Sequence, residues 1–276
     1  MAKVVHSDRA HSELPPSSAD KWMRCWGWRS TVAEHVELYG VPPSSAAAEE
    51  GTRAHEKLER ALLGEDFVPE SLPGQGVVDA EGWGDYVRDN RKSLDTSDSE
   101  FDHLMQCLEW VQRQVNKEEG TFVLPETRLD FGKPMGFHGL TGTVDLTIVS
   151  PSALHIGDLK YGRGIVELRD ERGRINPQLG CYLVGAIEAF GDRDRYFLTI
   201  LQPRAPHPEG PIRTIEVSQA ELAVFRFDLE NAIEGNYKGS PCSPGPHCRK
   251  FCPAQPTCKA LKQMLRQRMR MEDPDG

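Results

Sequence analysis

A chain of 276 residues, 38% hydrophobic and 27% charged, is long enough for one large globular domain or for one domain with an appended helical part. Its net charge of −9 excludes a protein that coats nucleic acid by bulk charge, and no apolar run approaches the roughly 18 residues needed to cross a bilayer. No signal peptide opens the sequence, so a cytoplasmic protein with no membrane partner is expected.

Residues 1–16 are polar and aperiodic and are expected to be loose. Ser17 or Ser18 suits the cap of a helix through Lys21–Tyr39, which carries Trp22, Cys25, Trp26 and Trp28. Pro42-Pro43 breaks the chain, and Ser44 or Ser45 restarts it as a helix running towards Leu63, with His55 and Glu59 four residues apart. Residues 64–78 read as a loop. Two acidic helices, or one with a break near Thr96-Ser97-Asp98, bring Trp83, Tyr86, Val87, Leu104, Leu108 and Val111 to a common packing side. Cys107 there reads as a small core residue.

Phe122–Phe131 reads as a strand carrying Glu126. Two apolar runs then flank Ser150-Pro151-Ser152, namely Gly142–Val149 and Ala153–Tyr161, and together they predict a β-hairpin. A two-residue loop at Pro151-Ser152 puts position 149 opposite 154, and by the same count Asp145 opposite Asp158. Because side chains alternate at period two, Lys160 shares the face of Asp158. Like charges directly opposed in a sheet destabilise it, so the two carboxylates need a cation. Oxygen ligands on a rigid sheet suit Mg²⁺ or Mn²⁺, which bind carboxylates, water and a substrate phosphate. Lys160 is placed to steady charge on that phosphate or to orient a water, which is the chemistry of phosphodiester hydrolysis.

Arg163, Arg169, Arg172 and Arg174 follow the hairpin, interleaved with Glu167, Asp170 and Glu171. Asn176 is a good helix cap, Pro177 suits the first helical position and Gly191 the end. Between them Leu179, Leu183, Ala186, Ile187 and Phe190 form an apolar stripe, and Gln178 and Tyr182 lie four apart near the start. A helix N-terminus with two polar residues can meet a nucleic-acid backbone, or the pair can be incidental. Arg195–Gln202 reads as a buried strand and Ile212–Val217 as another. Ser218 caps a helix through about Ala232.

Seven cysteines occur, at 25, 107, 181, 242, 248, 252 and 258, and four of them crowd the Pro-rich tail PCSPGPHCRKFCPAQPTCKAL. An odd count without a secretion signal argues against a disulfide framework, and so short a segment builds little core. Thiolate ligation of a metal is the economical alternative. With zinc, Cys242 or His247 can complete a set with the last three cysteines. The tail ends in Lys259, Lys262, Arg266, Arg268 and Arg270, which either contact DNA or form a solvated face.

Asp145, then Asp158-Leu159-Lys160, resembles the PD-(D/E)XK nuclease signature, and Gln178-Leu-Gly-Cys-Tyr182 resembles the Q-x3-Y motif of its RecB-type branch. Gly51-x3-His55-x3-Glu59 resembles the first motif of the same branch. The layout as a whole is similar to a phage- and prophage-borne group of RecB-like nucleases, over most of the chain. The resemblance implies that His55, Asp145, Asp158 and the carbonyl of Leu159 hold Mg²⁺ or Mn²⁺, with Lys160 assisting a water and Gln178 and Tyr182 positioning the DNA strand. It brings Glu126 towards the active site, although pairing with Arg128 or Lys133 is an alternative. It also implies a 4Fe-4S cluster on Cys25, Cys248, Cys252 and Cys258. The relatives' downstream spacing is C-x2-C-x5-C where this chain has C-x3-C-x5-C, and Zn²⁺ is the alternative.

The expected fold is α/β, a restriction-endonuclease-like mixed sheet with flanking helices and an N-terminal helical region. Four segments follow: a flexible N-terminus (1–16), a helical region contributing Cys25 and His55 (17–118), the nuclease core (119–240), and a cysteine-rich metal-binding tail with a basic helix (241–276). The expected activity is a metal-dependent DNA exonuclease on single-stranded or linear ends, working with a recombination or replication partner protein. The alternatives are a catalytically idle DNA-binding or assembly module with a structural zinc or iron–sulfur site, and a redox or iron-sensing protein.

Overall fold

The amide of Ser150 donates to the carbonyl of Ala153, 2.9 Å away, and closes the hairpin. Its strands, β2 (Thr141–Val149) and β3 (Ala153–Leu159), pair with Val149 opposite Leu154 and Leu146 opposite Gly157, the register expected from the two-residue loop. In this computed structural model, residues 12–41, 43–63, 87–89, 91, 97–248 and 252–272 are described. The expectations for residues 1–11, the loop at 64–78, Trp83 and Tyr86 lie outside them.

β1 (Phe122–Asp130) runs antiparallel to β2. β4 (Arg195–Leu201) runs parallel to β3, and β5 (Ile212–Val217) antiparallel to β4, giving a mixed five-stranded sheet in the order β1-β2-β3-β4-β5. The parallel step needs a crossover, and α5 (Pro177–Phe190) supplies it. Two helices cover the other face: α3 (Ala46–Leu63) and α4 (Asp98–Val115). Leu58, Leu62, Leu104 and Leu108 pack there with Leu146, Ile148 and Leu159 of the sheet. The α/β fold is as expected, a sheet between helical layers.

Local chemistry explains the helix ends. Ser97 and Glu100 form a reciprocal capping box at the start of α4, where the sequence predicts a break. The Asn176 side chain accepts from the amides of Gln178 and Leu179, which fixes the first turn of α5. Gly185 lets α5 lie close on the sheet, since a Cβ there would come 2.9 Å from Leu129 Cβ. Ser218 and Glu221 cap α6 (Gln219–Tyr237), one turn longer than expected.

The chain forms two compact units, Ser44–Leu222 and a second made of Met1–Pro43 with Ala223–Gly276. This differs from the expected division, which joined Cys25 and His55 in one helical region: the chain ends group together, and α3 and α4 belong with the sheet. In the terminal unit the helix expected through Lys21–Tyr39 is interrupted. α1 (Ala19–Trp22) ends before a turn, and α2 (Trp28–Tyr39) begins after Gly27. The reason is a close approach: a Cβ on Gly27 would lie 2.7 Å from both the Ser240 carbonyl and the Cys242 amide. Asn236 of α6 stitches this unit by donating to the Trp22 carbonyl and accepting from the Arg29 amide. The unit ends in α7 (Lys259–Glu272).

Candidate metal site and cysteine pocket

The hairpin register carries Asp145 and Asp158 to the α5 side of the sheet, where Gln178 meets them from the capped first turn. Gln178 Nε2 donates to Asp158 Oδ1 at 2.8 Å, and its Oε1 accepts from Lys160 Nζ at 3.0 Å. Lys160 Nζ lies 2.7 Å from Asp158 Oδ2. Tyr182 is buried behind Gln178, and its hydroxyl accepts a weaker bond at 3.3 Å. Burial raises the Tyr182 pKa further, so the phenol stays protonated.

Asp145 is gripped from two directions. Its Oδ2 accepts from the Leu159 amide at 2.6 Å, and its Oδ1 lies 2.8 Å from His55 Nδ1 of α3. Glu126 follows from the β1 register: Pro125 faces Leu146 and Thr127 faces Val144, which leaves Glu126 opposite Asp145. It adopts a left-handed φ of 46°, unique among the described non-glycine residues. Ligand atoms of His55, Glu126 and Asp145 all come within 4.8 Å of one another and could hold a metal ion. Of the two alternative partners for Glu126, Lys133 pairs with Glu188 and Arg128 donates to Thr141.

The protonation pattern agrees with an excess of negative charge. Burial opposes charge on His55, yet Asp145, backed by Asp158 and Glu126, raises its pKa to about 8. Burial likewise opposes charge on Lys160, but Asp158 and Asp145 hold its ammonium above the usual range. Burial and neighbouring Asp145 push Asp158 upward against the pull of Lys160. All three shifts mean that protons are held tightly, on His55 and Lys160 because carboxylates face them and on Asp158 chiefly because burial disfavours its charge. A divalent cation relieves the same excess, and the oxygen-rich donor set suits a hard metal.

The terminal unit holds a second constellation. Cys25, Cys242, Cys248, Cys252 and Cys258 line one pocket, together with His247 and Trp28. Burial, then contact with Cys242, raises the Cys25 thiol to about 12. Burial, reinforced by Cys248 and Cys258, raises Cys252 as well. Cys242 contacts Thr31 Oγ1 at 3.0 Å, and sequence spacing reached it only as a substitute for Cys25. The close packing at Gly27 brings it in. Among the described residues no three of these sulfurs lie within 4.8 Å of one another. Cys107 and Cys181 are buried elsewhere, Cys107 in the core as expected.

Among solved structures, one that is similar comes from Eubacterium rectale, of a protein proposed to be an exonuclease. It is 9% identical, covers 95% of this chain and 94% of that chain, and has a TM-score of 0.44. The profile described as "Protein of unknown function (DUF2800)" matches residues 11–275, and the chain belongs to that family.

Proposed function

We propose that the protein is a metal-dependent DNA nuclease of the RecB-like PD-(D/E)XK type, acting as an exonuclease on single-stranded or linear DNA ends. One observation carries this reading: a single hairpin register sets Asp145, Asp158 and Lys160 on one face, where His55 of α3 and Gln178 of α5 converge. A structural ion pair needs two of these groups, whereas phosphodiester hydrolysis uses all of them.

The ligands in this reading are Asp145, Asp158, His55 and the Leu159 carbonyl, with Glu126 joining through its place beside His55 and Asp145. Mg²⁺ or Mn²⁺ held there would supply Lewis acidity for attack on the phosphate. The chain's own groups do the rest. The Lys160 ammonium, held by Asp158 and Gln178, balances the charge that builds on the phosphate. Gln178, braced by Tyr182, bonds both Lys160 and Asp158 and so fixes how the pair is oriented. In the reaction the water oxygen would bond to phosphorus and give up a proton to solvent, the P–O bond to one sugar would break, and the departing oxygen would take up a proton. In the terminal unit the thiols of Cys25, Cys248, Cys252 and Cys258 would hold a 4Fe-4S cluster, with Zn²⁺ as the alternative.

The test is cleavage of end-labelled linear and closed circular DNA by anaerobically purified protein, with Mg²⁺ or Mn²⁺, alongside Asp158→Ala and Lys160→Ala. Metal-dependent loss of linear DNA only, abolished in both variants, is expected. Equal inertness of all three proteins with DNA binding retained would instead indicate an idle binding module.

A further inference from the structure

Two basic clusters stand out in the sequence, and their surroundings differ. In the first, Arg169 pairs with Glu221, and Arg174 with Asp170 at 2.6 Å, so much of its charge is neutralised within the fold. In the second, Lys259, Lys262, Arg266, Arg268 and Arg270 are all exposed on α7. Among the described residues none of these five has an ion-pair partner, in a chain whose net charge is −9.

Their arrangement is not random. Lys259, Lys262, Arg266 and Arg270 follow one another at spacings of three and four, which lines them along one helix face. The opposite face is anchored: Leu261 is buried against Cys248 and Cys258, and Met264 packs beside them. The cysteine pocket therefore fixes which way the cations point. Eleven steps of 1.5 Å from Lys259 to Arg270 make the stripe about 16 Å long. One strand of B-DNA carries a phosphate about every 3.4 Å of axis, so four phosphates fall within its reach. Four cations at these spacings suit contact with the phosphate backbone, which fixes position without reading sequence.

We propose that this face of α7 is a sequence-independent docking surface for the phosphate backbone of DNA. The proposal rests on the nuclease reading and adds a second contact, carried by the terminal unit. The mode is electrostatic, through release of the counterions condensed on the nucleic acid. A lipid surface is the competing occupant of a basic helix. Of the apolar residues on α7, Leu261 is committed to the cysteine pocket while Leu265 and Met269 stay exposed, so anionic vesicles form the competing arm of the test.

The test is fluorescence-anisotropy binding of a labelled single strand in EDTA over a range of salt. The proteins are the wild type, a variant with Lys259, Lys262, Arg266 and Arg270 all changed to Gln, the pair Lys262→Gln and Arg266→Gln, and Arg268→Gln. The fourfold variant should bind roughly tenfold or more weakly at low salt. Its slope of log K against log[salt] should be shallower by about 0.7 per residue. The pair should lose about half as much slope, and Arg268→Gln, on another face, should keep the wild-type slope. Equal helicity and metal content exclude misfolding. An unchanged slope in the fourfold variant overturns the proposal. So does a loss confined to phosphatidylserine vesicles while DNA binding is intact. Cleavage is scored separately: a wild type that binds with the expected slope but cuts nothing removes the catalytic reading and leaves this surface standing.

Discussion

Replacing Glu126 by glycine and by alanine separates backbone strain from charge at the candidate metal site. Its φ of 46° forces Cβ towards the following carbonyl, which costs about 1–2 kcal/mol for a residue with a side chain. Both variants lose the carboxylate opposite Asp145, but only glycine loses the strain. Glycine's greater freedom in the unfolded chain takes back roughly 0.5–1 kcal/mol, so Glu126→Gly should exceed Glu126→Ala in stability by about 0.5–1 kcal/mol. With a urea m-value of about 3 kcal/mol/M this raises the midpoint by about 0.2–0.3 M. Urea unfolding in EDTA, followed by circular dichroism, reads the difference. An alanine variant as stable as the glycine one would refute the assignment of strain. Calorimetric titration with Mn²⁺ should find both variants weakened alike, because the ligand is missing from each.

Three further outcomes follow from contacts already described. Lys160→Met leaves Asp158 buried without its 2.7 Å partner and should cost on the order of 3 kcal/mol, much of it regained with Asp158→Asn in the same chain; additive unfolding energies in that double-mutant cycle would contradict the pairing. Burial, then Lys117 and Arg195, lowers the His155 pKa to about 4 from 6.5, so the unfolded chain binds a proton that the folded one refuses. Stability should therefore fall as pH drops from 6.5 to 4, by up to about 3 kcal/mol, and His155→Phe should lose that part of the dependence; identical pH profiles would rule it out. Gly185→Ala pushes a methyl group into Leu129 and should lower stability by about 1–3 kcal/mol, measured by thermal unfolding, with a neutral result showing that α5 can shift outward.

Much of the sheet was legible because its signals are local. Ser150-Pro151-Ser152 is a turn signal whose length sets the register, and Asn176-Pro177 marks a helix start within one residue. These two short signals place Asp145, Asp158, Lys160 and Gln178, so this part of the site could be read without knowing the fold. His55 could not be placed that way, since 90 residues separate it from Asp145 and only the family motif pointed to it. The left-handed turn at Glu126 left no trace, because glutamate is not a residue that advertises positive φ. The interruption of the first long helix was missed for a related reason. Gly27 reads as one tolerable glycine in a helical pattern, and its role depends on segment 240–242 coming from the far end of the chain. The same long-range packing hid the nearness of Cys25 to Cys242.

The two-residue link at Pro151-Ser152 makes the candidate site a matter of parity. Adding one residue to that link while keeping a two-residue loop would shift the pairing by one, sending Asp158 and Lys160 to the leucine-rich face and bringing Gly157 opposite Asp145. Adding two would restore the sides but slide the carboxylates apart along the strand. The tip itself contributes no side chain to the chemistry, yet its length decides which face the two carboxylates share.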